Sequence, residues 1–147
     1  MCSSDLPSRP SPGRSRRAAR IALARAEKVI AQDRSNGFAM GVGVAALAAL
    51  GETDRAKDWM SRALLIDPDN LIMRYNFACV LATSLGDRDA ALDMLGPVLE
   101  RDAGINLDAA KTDPDFDGLR DDPRFQAMIA AAEARLAVAN PADGAGA

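Results

Sequence analysis

"LGETDRAKDWMSRAL", Leu50 to Leu64, can be laid over "LGDRDAALDMLGPVL", Leu85 to Leu99, with a shift of 35 residues. Leu, Gly, an acid, Asp, Ala, Asp and Leu then recur in register. A fainter echo sets "AEKVIAQDRSN", ending at Asn36, against "ALLIDPDN", ending at Asn70, at a shift of 34, which brings Asp33 onto Asp67. Self-similarity at such a period marks a supersecondary unit stacked on copies of itself, because one unit alone cannot bury its apolar face.

Apolar spacing says what the unit is. Ala56, Met60, Ala63 and Leu64 fall on one face of a helix over Thr53 to Ile66, which Pro68 stops. A preceding helix is expected over Asn36 to Leu50, ended by Gly51. Asp69 or Asn70 can cap the next helix, which continues through Tyr75, Phe77, Ala78 and Leu81 to Leu85. Gly86 and Asp87 repeat the turn and the cap. Gly96-Pro97 lies inside the helix that follows and is expected to kink or shorten it, because Pro removes a backbone donor.

Composition agrees and removes several kinds of chemistry. The 147 residues include abundant Ala but only four Phe, one Trp and one Tyr, which suits closely packed helices. There is no histidine, so Ser-His-Asp triads, HExxH sites and Cys2His2 fingers are excluded. The two cysteines, Cys2 and Cys79, form neither a CxxC pair nor a disulfide framework, and a reducing compartment fits. With neither a span of about 20 apolar residues nor a signal-peptide core, the expected location is cytoplasmic.

Charge is unevenly distributed. Residues 1 to 34 carry eight Lys or Arg against three acids; the remainder carries ten against eighteen. An acidic body argues against a nucleic-acid platform, and no aromatic residue is interleaved among Arg14, Arg16, Arg17 and Arg20 to stack on bases. That run reads as the solvated face of a helix. Residues 1 to 13 are expected to lie outside the fold: "PSRPSPGR" lacks a hydrophobic period, and "MCSSDL" is similar to a translated sequencing-library adapter. Residues 139 to 147 are expected to be a disordered tail.

These residues together resemble the tetratricopeptide repeat. Ala56, Met60, Ala63 and Pro68 match its second-helix signature in one unit, as do Ala91, Leu95 and Val98 in the next. The aromatic of the first helix is matched by Tyr75 but replaced by Met40, and Gly43-Val44 and Ala78-Cys79 stand where Leu and Gly are usual. The resemblance implies an all-α solenoid of antiparallel helix pairs over about residues 18 to 138. Residues 14–34 would be the second helix of a truncated repeat, 35–69 and 70–104 full repeats, and 105–138 a degenerate capping segment. "IDPDN", "MRYNFAC" and "DPDFDGLRDDPRFQAMI" further resemble end-of-array segments in the tails of bacterial class III adenylate and guanylate cyclases.

The family likeness implies a binding surface on the first helices of the repeats. It selects Phe38, Gly41, Ala45 and Ala48 in one unit and Met73, Asn76, Val80 and Thr83 in the next. The lining is small and mostly apolar and lacks the cations that clamp a peptide carboxylate. Its partner would be a protein or peptide, or an attached upstream domain, with self-association through the open end a further expectation. Neither nucleic acid nor membrane is expected.

"DPDFDG", Asp113 to Gly118, opens like a calcium loop, but the twelfth position, which should carry a bidentate acid, holds Arg124. The alternative is structural: Phe116 and Leu119 fold down over the end of the array, and Asp122 caps a last helix that starts at Pro123. Phe125, Ile129, Ala132 and Leu136 follow at helical spacing. Cys79 reads as a buried structural thiol, and Trp59 and Tyr75 as packing residues. No catalytic, cofactor or metal residue is assigned. The expectation is a noncatalytic interaction scaffold, the tail of a larger bacterial signalling protein; a regulatory segment of a nucleotide cyclase and a small stand-alone adaptor are the alternatives.

Overall fold

A computed structural model describes residues 12–139 and is all-helical over them. The helices are α1 (Pro12–Gln32), α2 (Gly37–Ala49), α3 (Thr53–Ile66), α4 (Leu71–Thr83), α5 (Arg88–Arg101), α6 (Ala103–Thr112) and α7 (Pro123–Ala139). A 3-10 helix, Pro114–Leu119, joins α6 to α7. None of the described helices is long and apolar enough to cross a membrane. Residues 1–11 and 140–147, most of the two expected tails, lie outside the described residues; Pro12, Gly13 and Ala139 belong to helices.

The turns repeat as the sequence does. Asn36 and Asn70 take nearly the same backbone angles, φ −72 and ψ 91 against φ −76 and ψ 93. Each side chain accepts the N–H three residues on, from Ala39 at 2.9 Å and from Met73 at 3.0 Å, satisfying a donor that the helix start leaves orphaned. Asn70, not Asp69, is therefore the cap. Gly51 and Gly86 both adopt positive φ, 77° and 62°, where a Cβ would be strained. The chain then folds back: the Glu52 N–H donates to the Leu47 carbonyl, and the Asp87 N–H to that of Leu81.

Packing is less regular than the turns. α2 lies against α1, α3 and α4, and α4 lies against α2, α5 and the 3-10 helix. α5 contacts α6 and α7, which also meet each other. α3 and α4 share the same kind of turn as α1 and α2 yet share little surface. The main core runs from Met40 and Val44 through Phe77, Leu81, Leu95 and Leu99 to Phe116 and Phe125. A smaller cluster holds Leu23 of α1, Ala46 and Leu47 of α2 and Ala56 of α3. Ala56 and Ala91, equivalent in the repeat, are both completely buried.

Of the expected kink or shortening at Gly96-Pro97, the shortening does not occur: α5 continues to Arg101 and ends at Asp102. The carbonyl that Pro97 deprives of a donor belongs to Asp93, an exposed residue, where water can serve instead. Cys79 is half-buried rather than fully enclosed. The covering role of Phe116 and Leu119 holds, since both are almost entirely buried and their helix packs on α4 and α6.

Candidate functional site

α2, "GFAMGVGVAALAA", contains no charged residue, and such a helix must be covered on nearly every side. α1, α3 and α4 cover three sides. On the α3 side, the Trp59 ring rests directly on the backbone at Gly43: a Cβ there would stand 2.1 Å from Trp59 Cζ3. The remaining stripe, Phe38, Gly41, Val42 and Ala45, faces an open cleft whose opposite wall is α4.

The cleft encloses about 430 Å³. Six of the eight expected groove residues line it: Phe38, Gly41, Ala45, Met73, Asn76 and Val80. Ala48 is buried away from it, and Thr83 is exposed outside it with its hydroxyl donating to the Cys79 carbonyl. Phe38 and Ile72 are 84% and 76% exposed, an unusual state for two large apolar side chains on the same cleft. No lining residue is charged. Of its two amides, Asn70 is occupied as a cap and by its bond to Asp67, whereas Asn76 is exposed, the side-chain bonds of α4 being made by Arg74, Tyr75, Cys79 and Thr83.

Sequence reasoning missed Ile72, and the reason is a shift in register. α2 and α4 are each 13 residues long and start from caps 34 apart, whereas the turn glycines are 35 apart. The extra residue therefore falls in the turn after α4. Carried at 34, Phe38 corresponds to Ile72; carried at 35, it corresponds to Met73, which is buried. The paired asparagines were the signal that could have found it.

A second polar cluster lies under the 3-10 helix. Ligand atoms of Cys79, Asp113 and Asp115 lie within 4.8 Å of one another. Asp113 is already committed: one carboxylate oxygen accepts the Asp115 N–H at 3.0 Å, the other the Tyr75 hydroxyl at 2.8 Å. Burial, with the charges of Asp113 and Asp115 behind it, pushes the Cys79 thiol up to about 12, so it is not an activated nucleophile. Burial and then the bond to Asp113 raise the Tyr75 phenol as well. Tyr75 packs edge-on against Phe116, centroids 5.5 Å apart, so the cluster pins the 3-10 helix to α4. Arg120 and Arg124 bond to the acids around the former calcium-like stretch, Arg120 to Asp117 and Arg124 to Asp122 and Asp89.

Comparisons of the chain with protein-family models, with curated proteins and with solved structures returned no match.

Proposed function

We propose that the protein is a noncatalytic scaffold of the tetratricopeptide type, in which the α2/α4 cleft holds an apolar peptide segment of a partner protein. What supports this reading most is the pairing of Phe38 and Ile72 at equivalent repeat positions on the two walls of one uncharged cleft. Exposed apolar walls reward a partner's apolar side chains with buried area, and the Asn76 amide can bond a partner's backbone. The absence of charge in the lining selects against acidic or basic termini as anchors. In line with the resemblance of the C-terminal half to end-of-array segments, the scaffold would serve a bacterial signalling protein, by binding a separate partner or an attached domain.

The test selects peptides from a randomised displayed library on the wild-type chain and compares them with a Phe38→Ser/Ile72→Ser variant. Both positions are exposed, so the variant keeps its melting temperature. Selected peptides should be apolar and should bind the variant at least about tenfold more weakly by fluorescence anisotropy, the size expected for losing hot-spot anchors. Peptides that bind both proteins equally would overturn the proposal.

A further inference from the structure

α1 turns Ala19, Leu23 and Ala26 toward α2, which leaves an outward face carrying Arg17, Ile21, Arg25 and Lys28. Ile21 is 46% exposed, and positions four residues to either side of it are Arg17 and Arg25. Among the described residues, none of these cations has a carboxylate at ion-pair distance. α6 shows the converse. Ala103, Leu107 and Ala110 are buried, leaving Ile105, 76% exposed, beside exposed Asp108 and the small Gly104 and Ala109. The cations bordering that face are engaged elsewhere, Arg101 by Asp69 and Lys111 by Glu133.

We infer that the outward face of α1 docks on the outward face of α6 in a second copy of this chain, Ile21 against Ile105, with Arg25 and Lys28 toward Asp108. The two faces are opposite in sign: α1 presents Arg17, Arg25 and Lys28, and α6 presents Asp108. Among the described residues α1 and α6 share no substantial contact, so both faces are open at once. Small residues around Ile105 let a facing helix approach closely. A contact between two different faces is head-to-tail, so assemblies lengthen with concentration rather than stopping at a two-fold dimer, unless the rotation closes a ring.

Sedimentation velocity over a concentration series tests this at low and high salt. At low salt, species at multiples of 15.5 kDa should appear and grow with concentration; raising the salt should return the monomer. Arg25→Glu/Lys28→Glu and Asp108→Lys/Ala109→Lys alter exposed positions, and circular dichroism should show both variants folded. Each alone should remain monomeric, and their equimolar mixture should associate, because each then offers the charge that the other lacks. A wild-type chain that is monomeric throughout, single variants that still associate, or a mixture that does not, would overturn the inference. So would association lost in Phe38→Ser/Ile72→Ser but kept in the charge variants, or monomeric protein that binds phosphatidylserine vesicles through α1.

Discussion

Gly43 shows how much one missing methyl group decides. It occupies the place where the Trp59 ring meets the α2 backbone, and any side chain there must displace the ring. Gly43→Ala should therefore destabilise the protein by about 1–3 kcal/mol, the usual cost of overpacking, despite the better helix propensity of Ala. Urea denaturation would measure it, and the same substitution in a Trp59→Ala background should cost far less. Cys79 makes a pH prediction. Its thiol is held protonated up to about 12 in the folded protein against an ordinary 9.0, so the folded state binds a proton that the unfolded state has lost. Stability from this group is complete below about pH 9 and is lost as pH rises toward 12. Tyr75, raised in the same direction, adds to the fall, so Cys79→Ala should make the alkaline loss shallower without abolishing it, as read by denaturation at a series of pH values.

At the scale of elements, the repeat provides matched pairs that differ in one group. Asp87 accepts the Ala90 N–H at 3.1 Å, while Glu52 at the equivalent place makes no side-chain cap bond and pairs with Arg55 instead. Lys57 first, then that N–H, hold the Asp87 carboxyl below its ordinary range. Asp87→Ala should thus cost about 1 kcal/mol and Glu52→Ala less than about 0.5 kcal/mol, measured by thermal or urea unfolding. Asn70→Ala should resemble Asp87→Ala. Helix ends were legible in the sequence because caps and stops act over three or four residues: Asn70, Gly86 and Pro123 lie where their local chemistry requires. α6 was not, because "AGINLDAAKT" has only a short apolar stripe and its start depends on the break at Asp102. Nor was the continuation of α5 past Pro97, where buried Leu95, Val98 and Leu99 pack the helix on both sides of the proline.

For the whole molecule, the 3-10 helix and α7 close one end of the core. Phe116 is completely buried between Tyr75 and Phe125, with centroids 5.5 and 6.3 Å away. Phe116→Ala should cost about 3–5 kcal/mol, a large share of the roughly 5–15 kcal/mol that holds a domain folded. A thermal melt should show a marked fall in midpoint, whereas Phe38→Ser at the open cleft should leave the midpoint nearly unchanged. This contrast separates two buried or exposed roles that composition alone cannot distinguish, since both are phenylalanines on helices.

Local chemistry written into the chain determined most of the helices before α6, their caps and the two left-handed glycine turns, because each depends on neighbours within a few residues. It also exposed the recurrence that pairs Asn36 with Asn70 and Gly51 with Gly86. Tertiary packing alone decided which stripe of α2 stays uncovered and that α3 and α4 share little surface despite their common turn. Those outcomes depend on how whole helix faces compete for a limited set of neighbours, which no stretch of a few residues encodes.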